Sequence, residues 1–331
     1  MNISLQQNKR KMEHTDISCG STNMLHASSK ERMAQPILSV LIPTFHFSPE
    51  RLVSALSQQA RSVGDVEIIV VDDGSSDEAL RQQTIALERF ASVYVFALQE
   101  NIGRARVRNL LYRLAKSDLM LFIDSDAEVV ADDFLAAYLV AASQADVVCG
   151  RLTNLPPPAP KGCELRYRYE TAAERAGKRA AHWRNQHPYA HLSTFQLLVH
   201  RRVMERVQFD EHIREYGYED VLFGLRLQEE EFRVLHIDTP LLHTGIDSNA
   251  HFLAHIEAAI RILAGLPPTV QQQIALSRLA LRLRAWHVAG MARAIFRLLK
   301  PLIRRQLMSS RPSLILFQTY KLGYLLALDA K

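Results

Sequence analysis

The run Leu119-Met120-Leu121-Phe122-Ile123, closed by Asp124-Ser125-Asp126, constrains this chain most. Five consecutive apolar residues describe a strand buried on both faces, the kind found in a parallel sheet covered by helices. Such a strand ends in a crevice where ligands of open α/β sheets bind. Two carboxylates stand there, Asp124 and Asp126 with Ser125 between them. Left unpaired they would repel each other, and together they suit a hard divalent cation carrying phosphate oxygens. The alternative is a strand leading into an acidic helix cap, since Asp132 and Asp133 lie just ahead of an apolar helix pattern.

The same pattern recurs along the chain. Ile37-Leu38-Ser39-Val40-Leu41-Ile42 reads as a first strand stopped by Pro43, and Ser48-Pro49-Glu50 supplies an N-cap, a first-turn proline and an acid for the helix that follows. Val66 to Val71 and Val93 to Leu98 are further strands, the first running into the acidic turn Asp72-Asp73-Gly74-Ser75. Asn101-Ile102-Gly103 opens a helix to Ala115, and Val147-Val148-Cys149 is a fifth strand. Strands alternating with helices at this spacing predict right-handed crossovers and a mostly parallel sheet, hence an α/β fold. Beyond Pro156-Pro157-Pro158 come a charged helix from Glu164 to about Ala181, a strand from Leu192 to His200, a helix opened by Gly217-Tyr218-Glu219-Asp220, and a last strand at Val234 to Ile237. Only helices are expected from Ala250 onward. Neither a Gly-x-Gly-x-x-Gly after the first strand nor a P-loop signature is present, which excludes those two nucleotide cradles.

The chain has 331 residues and a formal charge of +5, unevenly spread. Residues 271–331 carry 11 Lys and Arg against the single acid Asp329, while the body is neutral to acidic. Residues 1–35 read as a flexible leader. The three cysteines show no paired spacing and no signal-peptide pattern is visible, so a reducing, cytoplasmic setting is expected. No stretch of 18 apolar residues suggests a spanning helix.

Val40-Leu41-Ile42-Pro43-Thr44, Val70-Val71-Asp72-Asp73-Gly74-Ser75, Asn101-x-Gly with Arg108-Asn109, Asp124-Ser125-Asp126 and Glu219-Asp220 form an ordered set that resembles the family 2 glycosyltransferases of the GT-A fold. The resemblance covers roughly residues 36–245. It implies a Rossmann-like, mostly parallel sheet flanked by helices over 36–248, with a nucleotide-sugar half at 36–150, an acceptor half at 151–248 and a helical extension at 249–331. It also implies an inverting transfer from a nucleotide sugar, a UDP-sugar above all, to a hydroxyl of a polysaccharide or glycolipid. The other readings are a nucleotidyltransferase and a catalytically silent sugar-binding protein of the same fold.

By this resemblance Pro43 and Thr44 line the base pocket and Asp73 accepts from the uracil imide, as an acceptor-only carboxylate can; its own reading from sequence is an Asx turn. Arg108 and Ser125 belong to the donor site. Asp124 touches the ribose or the metal, Asp126 ligates the metal, and His243 reaches it, which favours Mn2+ over Mg2+. Asp220 is the general base and Glu219 orients the acceptor hydroxyl; both acids would also favour a helix N-terminus. His46 stands where asparagine is usual, and His191 to Gln196 replaces a small-residue loop on the acceptor side. His236 is expected in the core, and His251 and His255 on a helix surface. Basic and apolar residues interleave from Leu279 to Arg305 around Trp286, the make-up of a helix on an anionic membrane or of a cap packed on the fold. The first would make the protein peripheral on the inner membrane face. Nucleic acid is not an expected partner, because no binding motif accompanies the charge.

Overall fold

A computed structural model describes residues 23–32, 35–213 and 217–328. Nine strands form one sheet. In chain order they are β1 (Met24–Ala27), β2 (Leu38–Thr44), β3 (Val66–Asp72), β4 (Val93–Leu98), β5 (Leu119–Ile123), β6 (Ala127–Val129), β7 (Val147–Asn154), β8 (Gln196–His200) and β9 (Val234–His243). Their spatial order is β1-β4-β3-β2-β5-β8-β7-β9-β6. The run β4-β3-β2-β5 is parallel throughout, as is the long β7–β9 ladder. β1, β8 and β6 join antiparallel.

Helices α1 (Glu50–Val63), α2 (Glu78–Ile85), α3 (Arg104–Leu114) and α4 (Phe134–Ala142) make the crossovers of the first half. α5 (Glu164–Arg175), α6 (Ala181–Arg184), α7 (Arg201–Arg206) and α8 (Glu219–Glu229) belong to the second. The apolar side chains divide into two clusters, one on each face of the sheet: Leu41, Phe122, Leu110 and Leu197 mark one, and Val40, Leu121, Phe134 and Leu198 the other. Adjacent residues of a strand point to opposite faces, which is why the unalternated runs read correctly as strands covered on both sides.

Four local features differ from the reading of the sequence. Pro43 does not stop β2, since Pro43 and Thr44 stay in register with Val71 and Asp72. β9 runs unbroken from Val234 to His243, because pairing with β7 and then β6 carries it past Pro240. α5 ends at Arg175, and the chain turns at Gly177 with φ 68°. Within the expected leader, β1 pairs with β4, and Lys30 donates to the carbonyls of Glu88, Phe90 and Val93 at 3.0, 2.9 and 3.0 Å. Residues 1–22, 33 and 34 of that leader lie outside the described residues.

From Asn249 the chain is helical: α9 (Asn249–Gly265), α10 (Pro268–Gln271), α11 (Ala275–Ala285), α12 (Ala289–Leu307) and α13 (Leu314–Leu328). Phe296, Ile303 and Leu307 of α12 pack with Phe317 and Tyr320 of α13 and with Phe252 of α9. Among the described residues no helix is long and apolar enough to cross a membrane. A Cβ added at Gly323 would lie 2.3 Å from the Phe296 ring, so glycine sets how closely α12 and α13 approach. Gly323→Val is expected to cost about 1–3 kcal/mol in chemical denaturation. An unchanged midpoint would mean that the two helices do not pack this way.

Candidate active site

The strand ends β2, β3 and β5 share one edge of the sheet, and loops knit them together. The Asp73 N–H donates to Thr44 O at 2.8 Å, and the His46 N–H donates to Ser75 Oγ at 2.8 Å. His46 takes a left-handed φ of 52°. Gly74 has φ 74°, and a Cβ there would lie 2.3 Å from the Glu100 carbonyl carbon. Only glycine allows the two loops to meet so closely.

Asp73 is occupied by this junction. Its carboxylate accepts from the Ile102 and Gly103 N–H groups at 2.8 and 3.2 Å. Burial pushes its pKa up to about 6 against the pull of those amides. Asp73 thus anchors a loop through one hydrogen bond to each oxygen. Its neighbour Asp72, passed over in the sequence reading, accepts from Ser75 N–H and Oγ–H through Oδ1 at 3.1 and 2.6 Å. Its other oxygen, Oδ2, is buried and has no hydrogen-bond partner among the described residues. A buried acceptor in this condition is costly unless a ligand donor satisfies it. Thr44 is buried and donates to Phe47 O at 2.5 Å, and Pro43 is half-buried beside it. Ser125 lines a cleft of about 340 Å³ with Phe47, Ser48, Glu128 and Thr244.

Asp124 sits in an ion cluster. Arg108 donates to its Oδ1 at 2.6 Å and Arg104 to its Oδ2 at 3.0 Å. The same guanidiniums face Glu219 Oε1, at 3.0 Å from Arg104 Nε and 3.8 Å from Arg108 Nη1. Burial raises the Asp124 pKa, but Arg108 and then Arg104 outweigh it, and the carboxyl ends below its ordinary value. Arg108 is 1% exposed and holds Asp124. Both Asp124 oxygens accept from guanidiniums, so a cation there would share them with Arg104 and Arg108. Glu219, 6% exposed and also accepting from the Gly217 N–H at 3.1 Å, ties α8 to α3. Arg106 pairs with Glu211 at 3.7 Å on the exposed side of α3, a solvated helix face.

Asp126 and His243 do meet. β6 pairs Ala127 with His243, and Thr244 donates to Asp126 O through N–H at 2.9 Å and through Oγ at 2.8 Å. His243 Nε2 lies 3.1 Å from Asp126 Oδ2, and Nδ1 lies 3.0 Å from Glu170 Oε2. Arg166 Nη2 stands 3.2 Å from the same Nε2, donates through Nε to Glu170 Oε1 at 2.9 Å, and pairs with Asp247. Burial opposes protonation of His243, but hydrogen bonds to Asp126 and Glu170 push its pKa up to about 9. Burial raises the Glu170 pKa while His243 and Arg166 push it down, to about 2. A Cβ on Gly245 would lie 2.4 Å from Asp126 Oδ2, so the chain passes directly against this carboxylate.

Among the described residues no three His, Cys, Asp or Glu side chains group as a cation site. Two ligands of the expected set nevertheless fit one. A carboxylate on Nδ1 fixes the imidazole tautomer and leaves Nε2 as the ligand atom facing Asp126, the arrangement commonly built behind metal-bound histidines. A cation bound there would take the place of a proton on Nε2. Arg166 and Glu170 were missed in the sequence; their i, i+4 spacing on α5 was the available signal.

Asp220 contrasts with its neighbour. Its Oδ1 accepts the Val221 N–H of its own helix at 2.8 Å. Burial and the charge of Glu219 push its pKa up to about 6, with Arg104 and Arg108 opposing. The expected acceptor loop is tied down at Gln196, which donates to Arg151 O at 2.8 Å and accepts from Tyr138 OH at 2.9 Å. Phe195 and His243 pack edge to face with ring centroids 5.4 Å apart. His236 is buried against Arg184 and the Pro188 carbonyl at 2.8 Å each. His251 is exposed, and His255 lies 3.3 Å from Asp247.

The sequence matches the family model described as glycosyl transferase family 2 over residues 39–195. An N-acetylglucosaminyltransferase of Bradyrhizobium sp. is 30% identical over 105 residues, which are 30% of this chain and 67% of that protein. This chain belongs to glycosyltransferase family 2. Validoxylamine A glucosyltransferase of Streptomyces hygroscopicus is 36% identical over 94 residues, 27% of this chain and 22% of its own length. The chain spans less than half the length of several such curated relatives. The mannosyltransferase of Pyrobaculum calidifontis, solved with GDP-Man and Mn2+, superposes with a TM-score of 0.56 over 89% of this chain and 86% of that one, at 16% identity. The likeness is one of fold, and it gives this family member the GT-A architecture.

Arg108→Met leaves the buried Glu219 and the half-buried Asp124 with one guanidinium, and a loss of about 3 kcal/mol is expected at pH 7. Because the folded pKa of Asp124 is below its unfolded value, the stabilisation exists above pH 3.8 and fades as pH falls below it. Denaturation curves of the two proteins should therefore converge in acid, and a constant gap would contradict the cluster.

Proposed function

We propose that this chain transfers a sugar, with inversion, from a nucleotide sugar to an acceptor hydroxyl. The observation that carries the reading is the division of labour between Glu219 and Asp220. Glu219 is locked to two arginines, whereas Asp220, the next residue, is held among the described residues by its own helix N–H and is made more basic by burial. A carboxylate of raised pKa, still ionised at neutral pH, suits removal of a hydroxyl proton as the hydroxyl oxygen attacks the anomeric carbon. One displacement breaks the bond to the diphosphate and inverts that carbon.

On the donor side, the buried Asp72 Oδ2 would accept from a base imide N–H, which favours uracil and hence a UDP-sugar. Asp126 and His243 would hold a divalent cation, Mn2+ rather than Mg2+ given the imidazole, and its charge would offset that of the departing diphosphate. Glu170 would orient His243, and Arg166 adds fixed positive charge beside it. The acceptor in this reading is a cell-surface polysaccharide or glycolipid, met at the inner face of a membrane. A nucleotidyltransferase lacks support in a family 2 sequence, and a silent binding protein would have no need of a basic Asp220.

Asp220→Asn should lower kcat by about 10²-fold while leaving UDP affinity unchanged, and wild-type kcat/KM should rise with pH through about 6. A pH-independent rate with a fully active Asn variant would move the base elsewhere. Calorimetric titration with UDP should show binding that weakens in EDTA and returns with Mn2+. In the same titration Asp72→Ala should weaken UDP binding by about tenfold and Glu170→Ala should weaken Mn2+ binding by about tenfold or more. Equal binding with and without metal would remove the cation from the account.

A further inference from the structure

α12 carries three faces rather than two. One packs inward through Phe296, Ile303 and Leu307. A second presents Met291, Ile295, Leu298 and Leu302, at spacings of four, three and four residues, to solvent. Their exposures are 62, 51, 78 and 64%, and Leu299 borders them at 40%. Trp286, at the end of α11, is 68% exposed. The third face is basic. No Asp or Glu occurs between Gln271 and Leu328, a span that holds 10 Arg and Lys. Arg304 pairs with Glu257 of α9 at 3.2 Å, and Lys300 lies over the Tyr324 ring, whereas Arg282, Arg297 and Arg305 are exposed.

A contiguous row of large apolar side chains in water is costly and marks an interaction surface. A cap would have buried all of the apolar residues of α12, so the cap accounts for one face and leaves the second unexplained. The basic borders select the partner. A protein groove could take the apolar row, but an acid-free stretch of 58 residues rich in arginine complements an extended negative surface better than a single acidic patch. Tryptophan at the rim matches the boundary between headgroups and acyl chains.

We infer that the outer face of α12, with Trp286, docks this protein on an anionic lipid surface, the helix lying in the interface with its leucines immersed. This specifies the surface left open by the membrane-side acceptor proposed above, and it needs no glycosyl transfer to be tested.

The test is co-sedimentation of the full chain with vesicles of phosphatidylcholine alone or mixed in equal parts with phosphatidylglycerol. Wild-type protein is expected to bind the mixed vesicles at low salt, bind neutral ones far less, and detach as ionic strength rises. Leu298→Ser with Leu302→Ser should lower the partition coefficient by about tenfold or more per residue. Both sites are on the solvent side, so the circular dichroism melt and UDP affinity of the double variant should match wild type. Equal binding by wild type and double variant, or no preference for anionic vesicles, overturns the inference. So does sedimentation velocity showing a dimer that the double variant dissolves while wild type ignores vesicles, which would make the face an interface between copies. UDP binding that survives either outcome leaves the transferase reading standing.

Discussion

The candidate site depends on two guanidiniums held between two carboxylates. Arg104 and Arg108 lie one turn apart on α3 and reach forward to Asp124 at the end of β5 and sideways to Glu219 at the start of α8. α3 and β5 follow one another in the chain, and the cluster ties both to α8, which comes much later. With Arg108 almost fully buried, the cluster cannot open without exposing charges that water no longer reaches. Its effect is to fix the helix start that presents Asp220. Burial, together with the charge of Glu219 anchored next door, makes Asp220 a better base than a surface aspartate.

A second buried chain of charges, Asp126 to His243 to Glu170 to Arg166, works in parallel on the neighbouring strand end. It joins β6 and β9 to α5, so the segment after the proline-rich break contributes directly to the site of the Asp-x-Asp pair. Tight backbone passage at Gly245 lets the chain run directly against Asp126, as Gly74 lets its turn meet the loop at Glu100 and Asn101.

How legible this was in the sequence depended on the kind of question. Unalternated apolar runs revealed the parallel strands, because burial on both faces leaves no room for a polar period. The strand ends also revealed where chemistry would gather. Roles were harder. Asp72 and Asp73 are adjacent acids in one turn, and only the fold shows that Asp73 is engaged by the 101–103 loop while Asp72 keeps a buried oxygen without a partner among the described residues. Arg108 and Glu219 read as ligand-facing groups because sequence shows a charge and not the partner that neutralises it. Glu170 and Arg166 were hidden because they contact His243 across more than 70 residues of chain. Conversely, the interleaving of arginine and leucine in α12 was visible, but separating its packed face from its solvent face required knowing which side α13 covers.

The central claim is that the fold holds Asp220 as an uncommitted, more basic carboxylate beside a locked Glu219. A carbon-13 NMR titration of the side-chain carboxyls, assigned through Asp220→Asn, tests it most directly. The account predicts an Asp220 transition near pH 6. A transition at the ordinary aspartate value of 3.8 would contradict it.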